Sequence, residues 1–213
     1  ALGYQNVISF DMGGTTAKAS LIKDGETTME PGYYVGGYAS GQPVMLPLVD
    51  VVEVGAGGGS IAWVDRGGLL QVGPESAGSV PGPACYGAGN TRPTLTDAQV
   101  VLGRINAARP LGGELKSLDV DAARRAIAAH VGAPLKLGAD EAAAAIVRVA
   151  EARMAGAIRL VSVERGHDPA RFAAMPFGGG GALHVSALIR EIGLKSALVP
   201  RFPGITSALG CVL

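Results

Sequence analysis

The chain has few aromatic residues, few cysteines, no excess of either charge and no long uncharged apolar run. Its 213 residues carry 18 basic and 18 acidic side chains, with no basic cluster, so nothing points to a nucleic-acid surface. The most apolar stretch, residues 44–54, is broken by Pro47, Asp50 and Glu53. It fits neither a membrane-spanning helix nor a signal peptide, and we expect no membrane partner and a soluble, cytoplasmic protein. Cys85 and Cys211 are too few for a disulfide framework and form no metal-spaced pair; both are expected as free thiols in packing roles. Aromatics at 5% leave the core to aliphatic and small side chains. Chain length is no obstacle to a sizeable core, so small-molecule chemistry is the class that remains.

What the chain does have is glycine, 33 residues of it, with 13 prolines. Many close approaches of backbone to backbone or to ligand are implied. Phe10-Asp11-Met12-Gly13-Gly14-Thr15-Thr16 lies between two apolar, β-rich runs and reads as a strand, a tight turn and a second strand. Asp11 can hold a divalent cation, while the amides of Gly13 and Gly14 and the hydroxyls of Thr15 and Thr16 can hold phosphate oxygens. An ordinary hairpin with a polar tip is the other reading. Two further clusters, Gly57-Gly58-Gly59 within residues 55–59 and Gly178-Gly179-Gly180-Gly181, also sit at predicted strand ends, where ligand crevices form in α/β proteins. Before the helix predicted over 182–192, the last cluster offers its amides to an anion or a ribose-phosphate. The middle cluster can equally be a packing of backbone on backbone. No cluster matches a P-loop or a dinucleotide fingerprint.

Taken in order, the hairpin is followed by an Asp24-Gly25 turn and a third strand over 27–35, giving an antiparallel meander whose third run is broken by Pro31-Gly32 and Gly36-Gly37 and expected to be bent or irregular. A short strand at Val51–Val54, strands over 61–65 and 69–73, and a long loop over 74–96 come next. That loop is poor in charge and expected to be ordered. Thr96 or Asp97 is placed to cap a helix running to about residue 105. Helices follow over 122–131, stopped by Gly132, and 140–164, whose Ile146, Ala150, Met154, Ala157, Ile158 and Val161 share one face. A strand over 172–177, the helix over 182–192, a strand over 196–199 and the start of a helix after 205 complete a mixed α/β sheet flanked by helices. The chain opens directly before a core strand and stops without a polar tail, which we read as a piece of a longer polypeptide.

Among single residues, Asp97 is a helix cap or a second acid in the cleft. His184, just after the third cluster, either hydrogen-bonds phosphate or substrate or is packed structurally. His130 near a helix C-terminus and His167 in a turn need no function.

The motifs Val54-Gly55-Ala56-Gly57-Gly58-Gly59-Ser60, Pro81-Gly82-Pro83-Ala84-Cys85-Tyr86-Gly87, Pro93-Thr94-Leu95-Thr96-Asp97-Ala98, Glu164-Arg165-Gly166-His167-Asp168-Pro169 and Phe177-Gly178-Gly179-Gly180-Gly181-Ala182-Leu183-His184 occur in that order. With them the chain resembles the hydantoinase A/5-oxoprolinase family, which includes acetone and acetophenone carboxylase subunits. The resemblance implies a ribonuclease-H-like ATPase domain of the actin, hexokinase and Hsp70 type, here the second such domain of a longer chain whose N-terminal ATPase domain is absent. It implies ATP and Mg²⁺ as cofactors, with Asp11 as metal ligand, Gly13 to Thr16 as a phosphate loop and Gly178 to Gly181 on the adenosine side. Asp11, Asp97 and His184 are the catalytic candidates that follow. Hydrolysis of cyclic amides by phosphorylation of the carbonyl oxygen is the implied reaction; ketone carboxylation and a non-catalytic actin-like role are the alternatives. The implied partners are the N-terminal domain, a hydantoinase-B-type subunit and a small-molecule substrate, in an oligomer. Two departures stand out: Lys18 where many members have an acid, and Gly180-Gly181-Ala182-Leu183-His184 where many have Ala-Gly-Pro-Leu-His.

Overall fold

A computed structural model describes residues 3–35, 41–110 and 115–212. Strands β1 (Val7–Met12) and β2 (Ala17–Lys23) pair antiparallel, with Met12 opposite Ala17 and Asp11 opposite Lys18. Their period of two sends Ile8, Phe10, Met12, Ala17, Ala19 and Leu21 into one core, none more than 2% exposed. Ser9, Asp11, Lys18 and Ser20 are left on the opposite face, where the Ser9 and Ser20 hydroxyls lie 2.6 Å apart.

The third strand expected over 27–35 is broken at Pro31-Gly32, as its residues imply, while Gly36 and Gly37 lie outside the described residues. Pro31 removes an amide donor, and a side chain at Gly32 would press on the Val44 carbonyl 2.7 Å away. Only β3 (Glu26–Thr27) pairs with the end of β2. The rest becomes β4 (Met29–Glu30) and β5 (Tyr33–Val35), which pair with β7 (Leu48–Val49) and β6 (Gln42–Val44) in two-stranded sheets of their own. Most of the edge of β2 is taken instead by β8 (Val51–Val54). A separate hairpin is formed by β9 (Ser60–Val64) and β10 (Leu70–Ser76). Across the main sheet the order is β12 (Ser196–Ala197), β11 (Ala173–Phe177), β1, β2, β3, with β8 also on β2. The pairs β1/β11 and β11/β12 are parallel and the others antiparallel, which is the mixed sheet expected.

Of the helices, α1 (Leu95–Val101) is shorter than anticipated and is capped by Thr94, with Asp97 as the reciprocal partner of a capping box. Helix α2 (Val120–Ile127), capped by Asp119, does not stop at Gly132. It runs through a π-helical turn, Ala128–Gly132, into α3 (Ala133–Leu135) and ends where Lys136 adopts a left-handed conformation. Gly132 is needed for space instead: a Cβ there would stand 2.9 Å from the Leu137 carbonyl. The 23-residue α4 (Ala139–Val161) packs on β2, β8, α1 and α5 (Gly181–Ile192). Its alanines at 142, 143, 150 and 157 bring the backbones close, and Ile146, Met154 and Ile158, each at most 1% exposed, fill the space between. Each of those three stabilises the fold by about 1.5–3 kcal/mol. A short α6 (Thr206–Gly210) lies at the end of the described chain.

Arg165, from the Glu164-Arg165-Gly166-His167 motif, has a structural post. It pairs with Glu30 and, at 2.9 Å, with Asp50, so both ends of the 30–50 segment are tied to the chain after α4. Burial lifts the Asp50 carboxyl above its usual range, an effect that the Arg165 guanidinium opposes.

Candidate functional site

The turn between β1 and β2 is closed by the Gly13 amide donating to the Thr16 carbonyl, 3.1 Å. Gly13, Gly14 and Thr15 are exposed, and among the described residues no hydrogen bond uses the amides of Gly14 and Thr15. An added Cβ at Gly13 or Gly14 would meet nothing within 4 Å, so glycine here leaves open space above the turn. Two residues before the turn, half-buried Asp11 stands beside Phe177 of the parallel strand β11. Its Oδ2 accepts a hydrogen bond from Ser207 Oγ of α6, 3.1 Å away.

β11 ends where β1 ends, and the chain leaves it through Gly178 at φ 77°. A side chain at Gly178 would overlap Asp11 Oδ1 and the Met12 carbonyl, so only glycine lets the two strand ends close up. The Gly178 amide donates to the Pro203 carbonyl and the Gly180 amide to the Met12 carbonyl, 3.0 Å. α5 then starts at Gly181 with no side-chain cap, which leaves its first amides and the positive end of its dipole at the carboxyl ends of β1 and β11. A carboxylate, a turn with free amides and hydroxyls, and an uncapped helix N-terminus are thereby gathered at the carboxyl ends of two interior strands. Asp11 is a single acid, and among the described residues no group of three or more metal-ligating side chains is assembled. One carboxylate beside free phosphate-binding amides suits Mg²⁺, which keeps its waters and takes its other ligands from phosphate.

Gly57, Gly58 and Gly59 have a different place from the one expected of ligand-binding residues. Their amides donate to the carbonyls of Thr15, Gly13 and Gly14, at 3.2, 3.0 and 2.5 Å. These donors are spent on the turn and cannot also hold a phosphate. The cluster is a buttress behind the Asp11 to Thr16 turn, the backbone-on-backbone alternative. A Cβ at Gly57 would overlap the backbone of Gly14 and Thr15. Gly57→Ala is expected to cost about 1–3 kcal/mol and to lower the melting midpoint accordingly. Gly14→Ala should leave the melting midpoint unchanged. Equal melts for Gly57→Ala and the parent would refute the buttress.

The cap of α1 is Thr94, not Thr96 or Asp97; Asp97 is its partner in the capping box and not an acid facing the turn. It is fully buried; its Oδ2 accepts from the Thr94 amide, the Thr94 hydroxyl and the Ala84 amide, and its Oδ1 from the Cys85 amide. Burial, with Asp97 next, pushes the Cys85 thiol far up, so it packs as a neutral group. His184 is also fully enclosed. Its Nδ1 lies 3.1 Å from Glu151 Oε1 and its Nε2 3.2 Å from Gln99 Nε2, which is the structural alternative and not contact with the open turn. Lys18 sits opposite Asp11 on the same sheet face, and among the described residues it forms no ion pair.

Two contributors escaped the sequence reading. Thr96 donates its amide and hydroxyl to the Gly58 carbonyl, at 2.8 and 2.9 Å, and so carries the buttress. Ser207 reaches Asp11 from 196 residues away. A hydroxyl carries no signal of such a distant partner.

The family model described as Hydantoinase/oxoprolinase matches residues 1–213. The chain is 42% identical over 211 residues to the caprolactamase subunit alpha of Pseudomonas jessenii, covering 99% of this chain and 30% of that protein. It is 40% identical over 203 residues to the acetophenone carboxylase gamma subunit of Aromatoleum aromaticum, covering 95% of this chain and 27% of that one. The crystal structure of the ATP-dependent caprolactamase from Pseudomonas jessenii superposes with a TM-score of 0.89 at 41% identity, over 99% of this chain and 30% of that chain. The chain thus spans about a third or less of the length of these relatives.

Proposed function

The chain belongs to the hydantoinase/oxoprolinase family, and from that premise we propose that it is the second ATPase domain, of the actin, hexokinase and Hsp70 type, of a longer cyclic-amide hydrolase. One observation carries the reading. Asp11, the free amides of Gly14 and Thr15, and the uncapped start of α5 converge at the carboxyl ends of two adjacent parallel strands, where α/β proteins bind ligands. ATP, when bound, supplies the phosphoryl group that makes an amide oxygen a leaving group.

The chain's own residues then position charge, which is most of what phosphoryl transfer asks of a protein. In this reading Asp11 holds Mg²⁺, and the Gly13 to Thr16 turn takes phosphate oxygens on amides and hydroxyls. The Gly178 to Gly181 loop and the first turn of α5 face the nucleoside side. The buried Asp97 and His184 have no contact with reactants here. An N-terminal ATPase domain closes the cleft and a hydantoinase-B-type subunit completes the assembly. Near-equal identity to the acetophenone carboxylase gamma subunit supports ketone carboxylation as a second reading.

The test is ATP turnover by the full-length protein with its partner subunit. Stimulation by hydantoin, 5-oxoproline or caprolactam is the expected result. Stimulation by ketone and bicarbonate alone would replace the hydrolase with a carboxylase. Nucleotide binding without stimulated turnover would leave a non-catalytic actin-like domain.

A further inference from the structure

Gln99 is 1% exposed in the core, between α1, α4 and α5, yet it is only partly satisfied. Its Nε2 meets His184 Nε2 at 3.2 Å, while its Oε1 is buried with no partner among the described residues. Turning the amide over moves the deficit to the nitrogen and does not remove it. Glu151 Oε1, which also meets Arg104 at 3.6 Å, can only accept, so the His184 proton is on Nδ1 and Nε2 accepts from Gln99. Gln99 serves the buried His184 Nε2 but leaves its own carbonyl orphaned, so the pair gains little stability over two apolar side chains of similar size. Stability therefore does not account for Gln99; what its one good bond connects does.

That bond closes a ring around Met12. The Gly13 carbonyl accepts from Gly58, whose own carbonyl accepts from Thr96 in the first turn of α1. One turn along α1 stands Gln99, which holds His184 in the first turn of α5. α5 begins at Gly181, and the Gly180 amide returns to the Met12 carbonyl beside Gly13. Helix α1 thus touches the Gly13 to Thr16 turn at one end, through Gly58, and the start of α5 at the other, through His184.

We infer that Gln99 and His184 are positioning residues, a strut that sets the spacing between the Asp11 to Thr16 turn and the Gly178 to Gly181 loop with little gain in stability. The inference rests on the reading of those two loops as walls of one nucleotide site. It assigns His184 a role through Gln99 and not through contact with substrate.

The experiment uses the full-length protein with its partner subunit and four variants: Gln99→Met, His184→Gln, His184→Leu and the double change Gln99→Met/His184→Leu. Gln99→Met should melt close to the parent, since it removes the orphaned Gln99 carbonyl but leaves the buried His184 Nε2 without its donor. Its kcat should nevertheless fall on the order of tenfold, the scale of a displaced catalytic wall, and amide exchange should rise at residues 178–182 without nucleotide. His184→Gln, which can still accept from Gln99, should keep most of the turnover. The double variant should be no slower than Gln99→Met. Parent-like kcat and exchange in Gln99→Met would overturn the strut, as would a double variant whose loss is the product of two independent losses. A lowered melt with parent-like kcat would reduce Gln99 to packing and overturn it too. Because exchange is read without nucleotide, a parent that turns over no ATP would sink the functional reading while exchange still decides the strut.

Discussion

Asp11→Asn in the full-length protein is expected to lower ATP turnover by at least about a hundredfold, the scale on which a single group stabilising transition-state charge is felt. The thermal and denaturant midpoints should move by less than about 0.5 kcal/mol, as for a substitution away from the core. The two expectations come from the same geometry. Asp11 points to the sheet face opposite Ile8, Phe10 and Met12, so it contributes nothing to the apolar core. Asparagine keeps the size and an oxygen for Ser207 Oγ, so the local packing survives. What is lost is the negative charge, and a hard divalent cation binds a neutral amide oxygen far less well than a carboxylate. Raising Mg²⁺ at fixed ATP should recover part of the rate in the variant if the loss lies in metal affinity. Undiminished turnover in Asp11→Asn would end the case for this turn as the phosphate and metal loop.

The site was legible in the sequence where the signal is local. The β1 turn β2 hairpin shows itself because Ile8, Phe10 and Met12 alternate with Ser9 and Asp11, and α4 shows itself because Ile146, Ala150, Met154, Ala157 and Ile158 recur at helical spacing. A helix start near Thr96 and Asp97 could be read, but not which residue caps it: Thr94 does, and Asp97 answers it from the third helical position. What could not be read is the direction in which a glycine amide points. Gly57 to Gly59 and Gly178 to Gly181 look alike in sequence, but the first set donates all three amides into the neighbouring turn, while of the second Gly178 and Gly180 donate to the Pro203 and Met12 carbonyls and Gly181 opens a helix. The difference depends on residues about 45 positions away in one case and 166 in the other, and nothing in a local pattern encodes it. The break of the third strand at Pro31-Gly32 was legible from the residues themselves, but the strands that its pieces pair with, and the helical course through Gly132, were not. Both glycines are there for a carbonyl that comes close in space, Val44 for the one and Leu137 for the other.

Asp97→Ala is expected to have the largest effect on stability, about 3–5 kcal/mol, because it strips one carboxylate from four donors at once. Each donor is enclosed by protein, so water cannot replace the lost partner without opening the loop. Against a total of about 5–15 kcal/mol for a domain, such a loss brings it close to unfolding. Asp97→Asn should be intermediate: its oxygen can serve part of the set, while its NH₂ meets donors and is itself left unpaired. The damage has a definite course. The Ala84–Tyr86 turn is released first, and with it the Cys85 carbonyl that receives the Asp119 amide at the start of α2. The start of α1 loosens at the same time, and with it Thr96, which carries Gly58 behind the Gly13 turn. Turnover therefore falls in Asp97→Ala as a consequence of unfolding, and limited proteolysis should cut residues 74–96 before activity is lost. A protein that melts like the parent, resists proteolysis and yet turns over no ATP would instead restore Asp97 as an acid of the reaction. The four donors around its oxygens argue that this combination will not be found.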